Sequence, residues 1–239
     1  MKGLIVAIQF LTRLPTPRMA VSGADFAASM RWFPAVGLIV GLIVAGGAWA
    51  GSRIDPWTGA IVALVLWVGV TGALHLDGLG DIADASGAAH QDRGRLLAVL
   101  ADPHIGSFGV VAIVLQLLAK LVLLHAAIDR GAVAALIAIP FAARLGPLVW
   151  TCWLPSLHDG LAARFRGAVR PVHGALWGLP LLAAIAWVPA LAVIVPFIAL
   201  WGRWVRRRLG GISGDGHGAG TELGETVLLL ALAMGAGLA

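Results

Sequence analysis

The feature that most constrains this chain is a series of apolar runs long enough to cross a lipid bilayer. The runs cover 35–53, 57–75, 107–128 and 132–153, and a last one covers 222–239. A spanning helix needs about 20 apolar residues, because its backbone polar groups must all be paired within the segment. Hydrophobic residues make up 59% of the sequence and charged residues 12%, and the mean hydropathy of +0.91 excludes an ordinary soluble domain. We predict an all-α polytopic membrane helix bundle.

A further apolar block, 172–205, contains several prolines, and it is either one long helix or two short spans that turn near Pro189. The positive-inside rule favours two crossings. With seven spans and a cytoplasmic N-terminus, the outer side carries only Arg53 and Arg130. The inner side then carries Lys2, Arg13, Arg18, Arg31, Arg93, Arg95, Arg164, Arg166, Arg170, Arg203, Arg206, Arg207 and Arg208. We therefore predict about seven spans in a single transmembrane catalytic domain, residues 1–239.

Three aspartates end the second apolar run, in the sequence G-A-L-H-L-D-G-L-G-D-I-A-D at 72–84. Asp77, Asp81 and Asp84 are spaced i, i+4 and i+7, so they lie within about 60° of one another on a helix face. Carboxylates this close repel one another unless a cation compensates them, and oxygen ligands suit Mg²⁺. Acids are common at helix starts, which explains one or two of them but not three on one stripe beside His75. The spacing indicates a metal site.

The segment A-D-P-H-I-G-S-F-G at 101–109 precedes the third run. Asp102 and His104 are candidates for substrate binding there, and Gly106 and Gly109 permit backbone conformations that other residues resist. Amides at such a helix start can hold a phosphate. The alternative is a plain loop-to-helix junction, with Asp102 as the N-cap and the following proline at the first helical position.

A glycine-rich loop, G-G-I-S-G-D-G-H-G-A-G-T-E-L-G-E at 210–225, leads into the last run. It carries Asp215, His217, Glu222 and Glu225 to the lipid boundary. A flexible linker explains the glycines but not the acids. Glu222 and Glu225 share one helix face at i, i+3, although one of them can be an ordinary helix-start charge.

Cations inside the apolar runs form another group of candidates. Arg at a membrane helix centre costs about 2.5–3.5 kcal/mol on insertion scales, so Lys120 and Arg144 should each face a partner or a cavity. We favour contact with a substrate anion for both, and the alternative is an internal ion pair or snorkelling. Arg13, in F-L-T-R-L-P, is either an interfacial anchor or a ligand for a phosphate-rich substrate. Acids that hold Mg²⁺ beside arginines describe a phosphoryl-transfer site.

These motifs occur in the order seen in the cobalamin synthase family, which the chain resembles over nearly its whole length. The matching elements are F-L-T-R-L-P, R-W-F-P-A-V-G, G-A-L-H-L-D-G-L-G-D-I-A-D, D-P-H-I-G-S-F-G, L-L-A-K, A-R-L-G-P and the glycine-rich segment. The resemblance implies a Mg²⁺-dependent enzyme of the bacterial cytoplasmic (inner) membrane, with its active site facing the cytoplasm. Such an enzyme joins adenosylcobinamide-GDP to α-ribazole or α-ribazole 5′-phosphate and releases GMP.

The resemblance also implies that Asp77, Asp81 and Asp84 hold the metal, with Asp102, Asp215 and Glu222 lining the same site. From the residues themselves we predict Asp215 as a further metal ligand and Asp84 or Glu222 as the catalytic base. The substrate-binding residues would be Arg13, His75, Asp102, His104, Lys120, Arg144, His217 and Glu225. The chain departs from the family pattern at His104, where a basic Arg or Lys is usual, and at Ala85, where a glycine often follows the third aspartate.

Two other classes of protein stay open from the sequence. A CDP-alcohol phosphotransferase also uses aspartates and Mg²⁺, but its D-G-x-x-A-R pattern followed by two spaced acids is missing here. A transporter would line an ion path with intramembrane charges, but the acids gather at one face and the two halves show no repeat. The expected partners are the two substrates and the lipid bilayer, without nucleic acid, and an oligomer is left open.

Overall fold

The structure is a computed structural model that describes residues 2–88 and 93–235, and within these ranges it is helical, with isolated β-bridges but no β-strand. The helices are α1 Lys2–Leu11, α2 Gly23–Ser29, α3 Phe33–Gly51, α4 Pro56–Thr71, α5 Leu74–Ala88, α6 Arg93–Leu100, α7 Ser107–Asp129, α8 Ala138–Ala143, α9 Leu145–Trp153, α10 Leu161–Phe165, α11 Pro171–Trp187, α12 Ile194–Arg208 and α13 Gly214–Gly235. Short 3₁₀ segments precede α3, α8 and α12: Met30–Trp32, Val133–Ile137 and Pro189–Val193. The predicted all-α class is confirmed.

The helices long and apolar enough to cross a membrane are fewer than predicted. By length and composition the described chain has four: Gly23–Gly51, Ser107–Asp129, Val133–Trp153 and Pro189–Arg208. The pair Pro56–Thr71 and Leu74–Gly87, bent by 85°, makes a fifth if it counts as one span. The predicted last span begins within α13, and residues 236–239 lie outside the described part. The protein is therefore a polytopic helical membrane protein, and the count of seven stays a prediction.

The bend between α4 and α5 lies at two consecutive residues in the left-handed region. Gly72 has φ 60° and Ala73 has φ 58°, and the latter value is uncommon for a residue with a Cβ. A Cβ on Gly72 would lie 2.2 Å from Nε of Arg13, so this position needs glycine for its space as well as its φ. The predicted run 57–75 is thus broken after Thr71, and the aspartate motif begins a new helix that crosses α4 at a steep angle.

The apolar block 172–205 is divided near Pro189, between α11 and the 3₁₀ segment that leads into α12. Pro171, at the start of α11, lines a groove with Trp153 at the end of α9. Gly202, near the end of α12, packs against the same tryptophan, since a Cβ there would lie 2.4 Å from its ring. The start of α11 and the end of α12 therefore lie at the same end of the bundle, as a turn near Pro189 requires.

Small residues let the helices approach closely, as is common for helices that pack in lipid. On α3, a Cβ on Gly37 would lie 2.5 Å from the carbonyl oxygen of Pro140. One turn later, a Cβ on Gly41 would lie 2.1 Å from the carbonyl oxygen of Ile137. Both contacts are with backbone, which cannot move aside as a flexible side chain could.

We expect Gly41→Ala to destabilise the protein by about 1–3 kcal/mol, the usual cost of overpacking a tight contact. Gly46→Ala is the matched control, because it lies on the same helix and a Cβ there meets nothing within 4 Å. Thermal unfolding in detergent measures both. Equal melting temperatures for the two variants would contradict this packing.

Candidate active site

One end of the bundle is held together by bonds between helix ends. The Thr151 hydroxyl, at the end of α9, lies 3.3 Å from Nε2 of His217, which is in the first turn of α13. Nε1 of Trp201 in α12 donates to the Gly216 carbonyl at 3.1 Å. Nε1 of Trp177 in α11 donates at 2.7 Å to the Arg31 carbonyl, just before α3. We call this the acid end, because the five aspartates Asp77, Asp81, Asp84, Asp102 and Asp215 also lie here.

The predicted stripe of aspartates does lie on one helix, α5, but its members have different surroundings. Asp77 is exposed, Asp81 is half-buried and Asp84 is buried. Asp81 is within electrostatic reach of the other two and of Asp215. The acids therefore form one cluster that draws on both α5 and α13.

Glycines bring α13 against α5. A Cβ on Gly78 would lie 2.9 Å from the Cα of Asp215, and a Cβ on Gly218 would lie 3.3 Å from the Cα of His75. The segment expected to be a glycine-rich loop is in fact helical from Gly214 onward. That expectation was wrong, because glycine here serves close helix packing instead of loop flexibility.

The acid cluster fits Mg²⁺ by the chemistry of its donors. The carboxylates of Asp77, Asp81 and Asp215 are close enough to interact electrostatically, and the exposed Asp77 leaves room for water and substrate phosphate oxygens, which Mg²⁺ usually retains as ligands. Within residues 2–88 and 93–235, however, no three His, Cys, Asp or Glu side chains converge closely enough to hold a metal ion unaided. The Mg²⁺ site stays a prediction.

Asp84 contacts the start of α7. Its Oδ2 accepts from the amide of Gly106 at 2.7 Å and its Oδ1 accepts from the amide of Gly109 at 2.9 Å. The sequence offered Asp102 as the N-cap of this helix, but α7 begins at Ser107 and its N-cap position is Gly106. That alternative is wrong, since the capping carboxylate comes from a distant segment of the chain.

Asp102 and His104 form their own exposed pair in the loop before α7. Oδ1 of Asp102 accepts from the backbone amide of His104 at 3.0 Å and lies 2.7 Å from its Nδ1. These hydrogen bonds, first the backbone one and then the side-chain one, lower the pKa of Asp102 below its usual value. Asp102 therefore remains ionised at neutral pH, next to an imidazole that is free to reach an incoming anion.

The charged residues inside the apolar runs meet in a buried ion network, which we define as Lys120, Arg144, Glu222 and Glu225. Nζ of Lys120 lies 2.6 Å from Oε2 of Glu222 and 2.6 Å from Oε2 of Glu225. The guanidinium of Arg144 donates to Oε1 of Glu225 at 2.9 Å and to the Pro140 carbonyl at 3.0 Å. The two positive and two negative charges compensate one another where water is excluded.

Neutral groups complete this network. The Gln116 amide donates to the Glu222 carboxylate at 3.0 Å and to the Thr226 hydroxyl at 2.7 Å. The Lys120 ammonium lies 4.4 Å from the centre of the Trp67 ring, within cation–π distance. Sequence analysis missed Trp67, as it missed Thr151, because an apolar run gives no sign of which of its polar atoms face a charge.

Several predicted substrate contacts lie in or beside this network. Lys120 and Arg144 were expected to face a substrate anion, and the structure instead gives each a carboxylate partner, the alternative stated for them. Glu222 is 3% exposed and Glu225 is fully buried. His75 is buried within reach of the same charges. These residues hold the helices together; none of them is at the open surface of the acid end.

Arginines surround the acid end. Arg13 is exposed and lies against the bend from which α5 starts, with its backbone amide donating to the Val70 carbonyl at 2.8 Å. Arg203, Arg207 and Arg208 line a groove at the end of α12. An acidic cluster inside a basic rim suits a metal ion together with a polyanionic substrate.

By fold and site, the chain is an integral membrane protein whose helices gather carboxylates at one end. It belongs to the cobalamin-5-phosphate synthase family, whose sequence model matches residues 3–233. A relative from Novosphingobium aromaticivorans is 64% identical over 98% of this chain and 97% of its own length. Relatives from Thiobacillus denitrificans, 48% identical over 96% and 94%, and from Brevibacillus brevis, 34% identical over 97% and 98%, are similar throughout. All three are named adenosylcobinamide-GDP ribazoletransferase. No solved structure is detectably similar to this chain.

We expect Glu225→Gln to destabilise the protein by about 3–5 kcal/mol, because it leaves a buried cation without its full counter-charge. Lys2→Gln is the control, since it breaks the Lys2–Asp25 pair, which is exposed to solvent and therefore contributes little to stability. Thermal unfolding in detergent compares them. If Glu225→Gln unfolds no earlier than Lys2→Gln, the ion network does not hold this fold.

Proposed function

We propose that this protein transfers adenosylcobinamide phosphate from adenosylcobinamide-GDP to α-ribazole or α-ribazole 5′-phosphate, with release of GMP. The observation that carries the proposal is membership of the family over residues 3–233, with relatives that are named for this activity and match the chain from end to end. The acid cluster and its basic rim supply the chemistry that such a transfer needs. The acceptor hydroxyl forms one new phosphate ester at the phosphorus on the cobinamide side, and the bond from that phosphorus to the bridging oxygen breaks, so that GMP leaves.

Mg²⁺ is the cofactor we propose, held by Asp77, Asp81 and Asp215. When bound, it would neutralise charge on the pyrophosphate of the donor substrate. The chain's own part is to position the reactants and stabilise charge. Arg13 and the arginines at the end of α12 would bind the remaining phosphate charge. Asp102 would hold the His104 imidazole in place toward an incoming phosphate.

With either acceptor, a hydroxyl group of the ribose attacks phosphorus, and its proton needs a base; a 5′-phosphate on the acceptor is carried into the product unchanged. Both predicted bases are engaged: each oxygen of Asp84 accepts a hydrogen bond from a backbone amide, and Oε2 of the buried Glu222 binds both Lys120 and Gln116. Within the described part of the chain, the carboxylates of Asp77 and Asp81 accept no hydrogen bond. We therefore propose that one of these two accepts the proton of the attacking hydroxyl with either acceptor.

We also propose seven crossings with the acid end in the cytoplasm of a bacterial inner membrane. Contacts between helix ends support this: the acid end carries the starts of α3, α7, α11 and α13, and the ends of α4, α9 and α12. Each helix in turn therefore reverses direction. Most arginines lie at this end, as the positive-inside rule requires of a cytoplasmic face. The short helices α4 and α11 would then also be spans.

Reporter fusions after Arg208 and after Ala239 test this topology. Seven crossings predict a cytoplasmic signal from the first fusion and an external signal from the second. A cytoplasmic signal from both would contradict the odd number of spans.

We expect Asp77→Asn and Asp81→Asn each to lower the rate of GMP release at least about tenfold, equivalent to about 1.4 kcal/mol of transition-state stabilisation. Asp129→Asn is the control, because Asp129 is exposed at the end of α7 that is distant from the acid cluster. The assay supplies adenosylcobinamide-GDP, α-ribazole and Mg²⁺ to purified protein in liposomes.

Wild-type turnover by both α5 variants would contradict the metal assignment. Absence of GMP release by the wild-type protein would contradict the reaction itself. Release of CMP from a CDP-alcohol would instead identify a phospholipid-type transferase.

A further inference from the structure

Both carboxylate oxygens of Asp84 accept hydrogen bonds from backbone amides at the start of another helix, which is true of no other acid in residues 2–88 and 93–235. The acceptors are Oδ2 for Gly106 at 2.7 Å and Oδ1 for Gly109 at 2.9 Å. The first turn of a helix leaves amides without partners inside the helix, and a carboxylate there forms charge-assisted hydrogen bonds favoured by the helix dipole. Gly106, as the N-cap residue, has no side chain that could do this. Asp84 does it from 22 residues away.

The glycine at 106 is explained by this carboxylate. Its φ of −92° and ψ of 177° are extended values that any residue adopts, so the backbone does not demand glycine. A Cβ on Gly106 would nevertheless lie 2.5 Å from Oδ1 of Asp84, and its three nearest atoms would all belong to that side chain. The position is therefore shaped to admit the Asp84 carboxylate.

We propose that Asp84 is a positioning residue and not a metal ligand or base: it clamps the first turn of α7 to α5. The clamp holds the loop with Asp102 and His104 beside the cluster of Asp77 and Asp81. The catalytic importance of this placement rests on the proposed function. The clamp itself, the contact of Asp84 with the first turn of α7, can be measured without metal or substrate. Releasing Asp84 to a metal would cost both amide bonds, whereas Asp77 and Asp81 have no such bonds to lose.

Hydrogen exchange of the purified protein in EDTA tests the clamp directly. In Asp84→Asn, one amide faces an NH₂ group, so exchange in the peptide covering 104–110 should accelerate at least about tenfold, equivalent to about 1.4 kcal/mol of lost protection. The control is Asp81→Asn, one turn earlier on α5, which should leave that peptide unchanged. Faster exchange throughout the protein would indicate general unfolding and would overturn a local clamp.

A thermodynamic cycle gives a second, independent test. Gly106→Ala in the wild-type background should lower the melting temperature by about 2–8 °C, the shift expected for losing a helix cap. The same substitution in Asp84→Ala should lower it far less, because the clashing side chain is gone. Equal shifts in both backgrounds would overturn the proposal. If Asp84→Ala does not fold, Gly106→Ala alone must accelerate exchange in 104–110, and unchanged exchange overturns it.

The dependence of GMP release on Mg²⁺ concentration separates positioning from metal binding. Asp84→Asn should lower kcat while its half-saturating Mg²⁺ concentration stays within about threefold of wild type. That change is smaller than the tenfold change that corresponds to about 1.4 kcal/mol of binding free energy. Asp77→Asn and Asp81→Asn should raise that concentration about tenfold or more. A tenfold rise in Asp84→Asn overturns the proposal. If GMP release by the wild-type protein does not depend on Mg²⁺, the proposed function is contradicted. The hydrogen-exchange result then decides whether the clamp exists.

Discussion

The ion network of Lys120, Arg144, Glu222 and Glu225 determines how the helices around it can pack. Charges taken out of water are tolerable only in close pairs, so α7, the α8–α9 junction and α13 can associate only in a register that pairs them. Lys120 pairs with the carboxylates of Glu222 and Glu225, which lie 102 and 105 positions away in the sequence. Only the tertiary fold brings these charges together. Because the two cations and two anions balance, removal of any one of them leaves an uncompensated charge among the other three.

The register set by the ion network also determines how α13 packs against α5 nearer the acid end. With Glu222 and Glu225 fixed against α7 and Arg144, the earlier part of α13 must run past α5, where Gly78 and Gly218 allow contact between the backbones. Asp215 is thereby brought to the acids of α5. The position of Asp215 beside the acids of α5 thus depends on a network of buried charges deeper in the bundle.

Much of this arrangement could be predicted from the sequence, because apolar runs and helical spacing are local patterns. The runs that became α3 and α7, the shared helix of Asp77, Asp81 and Asp84, and the shared face of Glu222 and Glu225 follow from such patterns. The partners of the charges do not, since nothing local pairs Asp84 with amides 22 and 25 residues away.

The sharp bend before α5 was also beyond prediction from the sequence. It requires a left-handed Ala73, a conformation that tertiary contacts impose against the residue's own preference, and the packing of Arg13 against Gly72. The glycines of α13 misled for a related reason. Their composition is typical of loops, but their role is close contact between helices, which only the neighbouring helices reveal.

We propose that α5 and α13 share one cation site. Asp215 offers the most direct test of this site, because only the fold brings Asp215 close to the acids of α5. Binding of Mn²⁺, as a paramagnetic substitute for Mg²⁺, can be followed by electron paramagnetic resonance of the purified protein with GDP present. The account predicts that Asp215→Asn weakens Mn²⁺ binding about as much as Asp81→Asn does. Binding by Asp215→Asn at the wild-type affinity, with Asp81→Asn impaired, would contradict it.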